Sequence, residues 1–238
     1  MEAQGLKQRL LATVAASRER EHELVALCDD SPPVEPGLWT VKDHLAHVAA
    51  WRLYAAGVLD AVRMGTTPPH VEDSDDDENA KIYAANQDRS ADEVKADART
   101  SFDVLEAAIE ACSDADFTKP HPRAPKAPLW QVVPGNGHSH LGQHLMFWHL
   151  EQGNEEAAEA AQQWVYDIDR AEFPDPKSMA ASSYNFGCFY SRVGRADEAL
   201  RRLKHAFELD PSLKNIALTD PDLDRIRNDP ELVALIGS

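Results

Sequence analysis

Three histidines have the spacing of a metal site. His140 and His144 are four residues apart, so on a helix both imidazoles project from one face, about one turn apart. His47 lies midway along another helical segment, and in a helical bundle one histidine can complete a three-nitrogen site with such a pair. Three protein ligands leave one coordination position open, as in catalytic zinc sites. The spacing therefore predicts a metal centre at His47, His140 and His144.

The same histidines are open to other interpretations. Pairs at this spacing arise by chance, and a buried histidine is often a hydrogen-bonded core residue. His138 and His149 flank the pair and complicate the assignment, whereas His44 and His121 are interpreted as surface or loop residues. The chain contains ten histidines, so placement rather than number selects the three.

The elements that must position these histidines are predicted to be helices. Apolar residues recur at helical spacing from about Leu6 to Cys28. Thr40 and Asp43 form an approximate capping box that opens a second helix, which runs to about Met64. The remaining predicted helices span about 90–112, 138–152 and 155–169. No alternating strand pattern is present, so the predicted fold class is all-α.

Two segments are predicted to be loops. Glu72–Glu78 is acidic and almost free of apolar residues, which favours a solvated connection. The alternative is a lid over the mouth of the bundle, which would favour neutral or cationic substrates. Thr118–Pro128 contains four prolines, and proline breaks helices.

The chain of 238 residues is strongly acidic. Its 24 basic and 41 acidic residues give a net charge of −17, which repels nucleic-acid phosphates and anionic lipid headgroups. Its three cysteines are far apart and include no CxxC pair, which indicates a reducing compartment. No signal-peptide pattern and no long apolar stretch is present. We therefore expect a cytoplasmic protein that binds a small molecule and neither nucleic acid nor membrane.

The region after residue 172 has a different pattern. Residues 182–211 look like one tetratricopeptide repeat, in which small and large residues interlock two antiparallel helices. The residues at the repeat's spacing are Gly187, Tyr190, Gly194, Ala199, Ala206 and Pro211. Because a lone repeat does not bury its apolar faces, we expect it to pack on the bundle, on a second copy of the chain or on a partner protein. The predicted domains are a helical bundle, 1–172, and a helical hairpin with a closing segment, 173–238.

The segment 38–51, LWTVKDHLAHVAAW, resembles the second-helix motif of the DinB-like superfamily and, more closely, of its ClbS/DfsB branch. Residues 79–86, 90–94 with Ser101, and 140–145 with Trp148 resemble the same branch. The resemblance covers about residues 6–152. It implies an up-down four-helix bundle that holds zinc or nickel through three histidines. Activities in the superfamily include thiol transfer, isomerisation and hydrolytic resistance to a reactive natural product.

Four further residues are expected near the histidines. Asp43 lies one turn before His47 and is a candidate to orient an imidazole. The aromatic candidates for an apolar substrate wall are Trp51, Tyr54 and Trp148, and simple core packing is the alternative for each.

Two positions depart from the family pattern. Arg52 follows the motif's last tryptophan, where superfamily members often have an acidic residue. A Gly-Gln pair often follows the second histidine of the ligand pair, but here Gly142-Gln143 lies between His140 and His144. Alignment on this pair would place Asn136 at the first ligand position and weaken the site. We prefer the His140–His144 register because the residues that follow then also agree.

These patterns predict a metal-dependent hydrolase or transferase acting on a small electrophilic molecule, in detoxification or self-resistance. The alternative is a non-catalytic interaction protein that uses the tetratricopeptide-like region for docking or dimerisation. The metal content of the purified protein separates the two.

Overall fold

A computed structural model describes residues 5–35, 37–72 and 74–237. It consists of two compact units, Met1–His144 and Leu145–Ser238, and the boundary between them falls within one helix. The division predicted at residue 172 stays a prediction. The all-α fold class is confirmed, because helices make up nearly all regular structure of the described residues. Within that part of the chain, no helix has the length and hydropathy needed to cross a membrane.

The first unit is built from helices whose ends largely match local sequence signals. The Thr40 side chain accepts the Asp43 N–H, and Asp43 Oδ2 accepts the Thr40 N–H at 2.8 Å, which completes the predicted capping box. The same helix ends at Gly65, whose φ of +69° is a left-handed conformation that glycine adopts without strain. The helices of this unit are α1 Leu6–Leu27, α2 Val41–Met64, α3 Asp75–Asn86, α4 Ala91–Ala111, α5 Asp114–Phe117, α6 Val132–Asn136 and the first part of α7 His138–Glu151.

The core of the first unit lies where α1, α2 and α4 pack together. Each helix contributes an apolar stripe, and burial of a leucine or phenylalanine side chain stabilises the fold by roughly 1.5–3 kcal/mol. This packing fixes the face of α2 that carries the predicted ligand His47. The fully buried apolar side chains include Leu10, Leu24, Leu45, Leu59, Phe102, Leu105 and Ile109.

The acidic segment predicted as a loop is instead mostly the start of helix α3. The Ser74 hydroxyl oxygen accepts the Asp77 N–H, and Asp75, Asp76 and Asp77 occupy the first turn. Carboxylates are stabilised at a helix N-terminus by the macrodipole, so the charge that suggested a loop supports a helix start. None of the α3 residues is buried. Asp73, in the same segment, lies outside the described residues.

The proline-rich segment, also predicted as a loop, contains a short β-hairpin. Its strands are β1 Pro120–His121 and β2 Ala124–Pro128, which pair antiparallel. Proline is compatible with this pairing because each strand of a two-stranded sheet is an edge strand. The ring of His121 closes the turn, since its Nδ1 accepts the Arg123 and Ala124 N–H groups at 3.1 and 3.2 Å.

The second unit contains the predicted helical hairpin, formed by α9 (Pro176–Arg192) and α10 (Ala196–Leu209), which follow α8 (Glu155–Glu172). Gly187 lies so close to the facing helix that a Cβ there would be 2.9 Å from Leu203 Cγ. Helix α8, predicted to belong to the bundle domain, packs on α9 within this unit. Glu159 of α8 accepts the Tyr190 hydroxyl at 2.6 Å and an Arg195 N–H at 2.5 Å. The helices are the rest of α7, α8 Glu155–Glu172, α9 Pro176–Arg192, α10 Ala196–Leu209, α11 Leu213–Ala217 and α12 Pro230–Gly237.

Two aspartates of the C-terminal segment close the hairpin. Asp220 Oδ2 accepts the Tyr184 hydroxyl at 2.8 Å and the Cys188 thiol at 3.7 Å, and Asp222 pairs with Arg192. The ligand-type atoms of Cys188 and the two aspartates lie within 4.8 Å of one another. Both carboxylates are nevertheless engaged by the protein, and burial raises the pKa of the Cys188 thiol. We therefore assign this cluster a structural role.

Candidate metal centre

Helices α2 and α7 bring the three predicted ligands together. His47 Nε2 and His144 Nε2 each lie 3.1 Å from His140 Nε2. The candidate ligand atoms of all three histidines lie within 4.8 Å of one another. The four-residue spacing on α7 explains how one helix presents two imidazoles to the same point.

The arrangement of the three nitrogens fits a metal ion better than a hydrogen-bond network. A neutral imidazole nitrogen carries one proton or one lone pair, so His140 Nε2 makes one good hydrogen bond and not two. Tetrahedral zinc, with zinc–nitrogen distances near 2.05 Å, separates its ligand nitrogens by about 3.3 Å. The two contacts of 3.1 Å are close to that separation. Three lone pairs directed at one ion would use all three of these Nε2 atoms.

Burial keeps these imidazoles neutral. It lowers the pKa of His47 to about 4 and that of His140 to about 3, and neighbouring charges add to both effects. The pKa of His144 also lies well below its usual value, chiefly because of burial and then because of the adjacent histidines. A histidine binds metal through its neutral ring. At neutral pH the three side chains are therefore in the form that binds a cation.

His44 belongs to this cluster, although the sequence suggested a surface or loop residue. Its side chain is 3% exposed, and its Nδ1 lies 2.8 Å from His144 Nδ1. His44 precedes His47 by three residues, so the two project from neighbouring positions on one face of α2. That spacing is the sequence signal that would have identified it.

Asp43 does not have the orienting role expected for it. Its Oδ2 accepts hydrogen bonds from the N–H and the hydroxyl of Thr40, at 2.8 and 2.7 Å. The third residue of a helix is well placed to reach back to the N-cap, and the capping box therefore engages this carboxylate. The polar side chain that contacts a predicted ligand is the neighbouring His44.

The predicted aromatic residue Trp51 lies beside the cluster. Its ring centroid is 6.3 Å from that of His47 and 6.4 Å from that of His140. Its Nε1–H donates to Asn79 Oδ1 at 3.1 Å, which ties α2 to α3. Tyr54 packs edge-on against Trp51 at 5.3 Å, one layer farther from the histidines.

Trp148, the other predicted aromatic residue, is half-buried on the part of α7 that belongs to the second unit. Its role at a substrate wall stays a prediction.

Two aromatic residues that the sequence did not single out complete this layer. The Trp39 ring lies 5.0 Å from the His47 ring and stacks on the His144 ring at 5.8 Å. Tyr83 of α3 stacks on the outer side of the tryptophan at 6.1 Å. Trp39 is part of the motif 38–51, and its presence in that motif was the sequence feature that could have placed it at the site. For Tyr83 the only such feature was its position in the stretch 79–86, because α3 lacks an apolar stripe.

The contacts of Arg52 give a physical reason why this chain has an arginine after Trp51, where superfamily members often have an acidic residue. Its side chain is fully buried, and two of its guanidinium N–H groups contact Glu21 of α1 at 2.5 and 3.0 Å. Its Nε–H donates to Ser101 of α4 at 2.9 Å, and its guanidinium lies 3.8 Å from the Phe102 ring centroid. The arginine thus links three helices of the unit.

The other departure concerned the choice of ligand register. Asn136 lies on α6 and donates its side-chain N–H to Val132 O at 2.9 Å. His140 and His144 instead lie at hydrogen-bonding distance of each other, and His140 lies at that distance from His47. The geometry therefore supports the register in which both histidines of α7 join the cluster.

Comparison with known families gives one match. Residues 8–152 match the family model described as the DinB superfamily. No curated protein and no solved structure matches the chain significantly. The matched span contains most of α1 and all of α2, α4 and α7, and with them every histidine of the cluster.

Proposed function

The chain belongs to the DinB superfamily, and from this premise we propose that it is a metal-dependent hydrolase or transferase acting on a small electrophilic molecule. The observation that carries the proposal is the convergence of His47, His140 and His144 Nε2. Proteins of this superfamily often bind a divalent metal, and we propose zinc or nickel held by these three nitrogens. The finer ClbS/DfsB assignment, with a role in detoxification or self-resistance, is part of the proposal.

The chemistry follows from the donor set. A divalent ion supplies Lewis acidity, which makes a water or a thiol a stronger nucleophile at neutral pH. The three imidazoles bind it without adding negative charge, whereas carboxylate or thiolate ligands would partly cancel its charge. Three protein ligands also leave a coordination position for a molecule from solution.

The surroundings support a small, neutral or cationic substrate. Trp39 and Trp51 give the cluster an apolar aromatic side, which excludes water and favours an apolar group. The first turn of α3 carries Asp75–Glu78, next to the segment that supplies Asn79 and Tyr83 to this layer. A negative potential there disfavours anions. In this proposal the protein acts in the cytoplasm on a free small molecule, without nucleic acid or membrane.

A second candidate is an interaction protein. Three apolar residues of the second unit, Ile216, Leu218 and Val233, are each more than half exposed, at 54%, 56% and 57%. Exposed apolar residues that form one patch mark protein interfaces. In this alternative the tetratricopeptide-like hairpin and its closing segment bind a second copy of the chain.

The test is the metal content of the purified protein. We expect about one divalent ion per chain in the unmodified protein and none in a variant with His140→Ala and His144→Ala, measured by elemental analysis. His121→Ala is the control, because this histidine lies on the β-hairpin and closes its turn. An unchanged metal content in the double variant would contradict the ligand assignment. An unmodified protein without metal, after purification without chelators, would favour the interaction protein.

A further inference from the structure

We infer that His44 is a positioning residue whose Nδ1 accepts the Nδ1–H of His144 in the tautomer that binds metal. The inference rests on the proposed function, since it concerns how one of the three ligands is prepared. It is carried by a single contact, the 2.8 Å between His44 Nδ1 and His144 Nδ1. A contact of this length between two neutral rings holds one shared proton, donated by one nitrogen and accepted by the other.

Two arrangements of that proton are possible, and only one binds a metal. In the first, His144 Nδ1–H donates to His44 Nδ1, and His144 Nε2 keeps a lone pair. In the second, His44 Nδ1–H donates to His144 Nδ1, and His144 Nε2 carries a proton that it can donate to His140 Nε2, 3.1 Å away. The second arrangement is a chain of two hydrogen bonds and belongs to the metal-free protein. The first leaves three lone pairs at the point where the Nε2 atoms meet.

The change between the two arrangements conserves protons. His144 loses its Nε2 proton and gains one on Nδ1, while His44 loses its Nδ1 proton and gains one on Nε2. Both rings stay neutral throughout. His44 can therefore hold either state of His144 with one hydrogen bond, which an apolar or acceptor-only side chain cannot do.

His144 is distinguished from the other two ligands by this contact. Metal-ligating histidines usually donate their second ring N–H to an acceptor that fixes the ring. The Nδ1 atoms of His47 and His140 have no hydrogen-bond partner among the described residues. The polar contact to His44 therefore gives His144 an orienting partner that the other two rings do not have.

Packing fixes the rings of this pair. The Trp39 ring stacks on the His144 ring at 5.8 Å and lies 5.4 Å from the His44 ring. The two imidazoles meet at an interplanar angle of 71°, with centroids 5.1 Å apart. His44 also lies in the first turn of α2, just after the residues of the capping box. An orienting residue must itself be fixed, and His44 meets that condition.

The experiment compares two substitutions of His44. His44→Leu removes the hydrogen bond, whereas His44→Asn places an amide oxygen near the former Nδ1 and keeps an acceptor for His144 Nδ1–H. Zinc affinity is measured by competition with a chromophoric chelator, and Co²⁺ absorption spectra report the ligand geometry. We expect His44→Leu to weaken zinc binding about 10–100-fold and His44→Asn to restore most of that loss. His138→Leu, another buried histidine of α7, is the matched control and should keep the affinity of the unmodified protein.

The tautomers are measured separately in the unmodified protein. Nitrogen-15 spectra of histidine-labelled protein show which ring nitrogen carries the proton, and zinc should move the His44 proton from Nδ1 to Nε2 while His144 gains one on Nδ1. His44→Leu with unchanged zinc affinity and Co²⁺ spectrum, or a zinc-loaded protein in which His44 keeps its proton on Nδ1, would overturn the inference while the metal site stands. An unmodified chain that binds no zinc would instead refute the proposed function and the inference with it. The nitrogen-15 result decides the matter even if His44→Leu does not fold.

Discussion

Helix α2 carries two buried polar clusters, five residues apart, that satisfy their polar atoms in opposite ways. Around Arg52, Glu21 and Ser101 accept guanidinium hydrogen bonds and an aromatic ring lies against the cation. Around His47, the His140 Nε2 atom lies at hydrogen-bonding distance from two other Nε2 atoms but can make only one good hydrogen bond, and the Nδ1 atoms of His47 and His140 have no partner among the described residues.

The difference separates a structural cluster from a binding cluster. Buried polar groups in folded proteins are nearly always paired, because an unpaired one costs about 1–3 kcal/mol. The arginine cluster obeys this rule within the protein, so its role is to join α1, α2 and α4. At the histidine cluster, the three Nε2 atoms obey it only if a cation takes their lone pairs. Polar atoms that a protein leaves without partners in its interior are thus a better guide to ligand sites than residue type alone.

The largest effect is expected from breaking the paired cluster. Arg52→Met leaves the Glu21 carboxylate buried without its partner, and we expect the free energy of unfolding to fall by about 3–5 kcal/mol, measured by urea denaturation. The double variant Arg52→Met with Glu21→Leu should recover most of this loss, because it leaves no buried charge. Zinc affinity of the double variant should equal that of the unmodified chain. If the double variant were as unstable as the single one, packing of the arginine and not its charge would be the stabilising contribution.

A smaller effect is expected from pH, and it should come from the histidine cluster. Burial lowers the pKa of His44 and of His47 to about 4, so the unfolded chain, with histidine pKa values near 6.5, binds protons first as the pH falls. The metal-free protein should therefore be most stable above about pH 7.5 and lose stability progressively as the pH falls from there to about 4. Between pH 7.5 and 6 we expect a loss of about 2–3 kcal/mol for the four histidines together.

Urea denaturation of the metal-free protein across this pH range provides the measurement. A variant with His47→Leu and His140→Leu should show a flatter dependence, since it removes two of the titrating rings. Equal slopes in the two proteins would mean that the histidine cluster does not control the acid response.

The smallest effect is expected at the acidic turn of α3. Asp75→Asn, Asp76→Asn and Asp77→Asn remove a negative potential near the residues that contact the aromatic layer, and we expect Zn²⁺ to associate severalfold more slowly at low ionic strength. The rates should converge at high salt, where such fields are screened. Stopped-flow measurement of zinc uptake tests this. Equal rates at low salt would mean that these carboxylates only stabilise the start of α3 and do not affect zinc uptake.

The fold could be predicted from the sequence wherever its signals are local. The capping box at Thr40 joins residues three apart, and the observed α2 begins where that box predicts; α4 begins at Ala91, close to the predicted start near residue 90. Helix α3 has caps but no apolar stripe, so its periodicity gave no signal. The β-hairpin is held by backbone pairing in a proline-rich segment. Its residue types alone argue against a strand there, because proline lacks a backbone N–H.

The candidate site could be predicted only in part, for a related reason. The two histidines of α7 share a helix, and their spacing is visible in the sequence. Their contact with His47 joins segments 93 residues apart, so it was suggested only by what helical bundles can build and by the family resemblance. Asp43 was expected to orient an imidazole, but its carboxylate caps the helix instead. Both roles are possible for a carboxylate at this position, and only the three-dimensional contacts show which one it has.

The few contacts that hold helix α3 affect how easily the aromatic layer beside the histidines becomes exposed to solvent. A helix that buries none of its own residues is held by a few side-chain contacts, here Asn79 with Trp51, Tyr83 with Trp39, and Arg123 with Asp75. Such segments open at a small fraction of the free energy of global unfolding, and their amides exchange with solvent long before those of the core. Opening of α3 would uncover Trp39 and Trp51 while α1, α2 and α4 stay folded. Fraying of this one acidic helix would therefore expose the aromatic layer beside the histidines before the core of the unit unfolds.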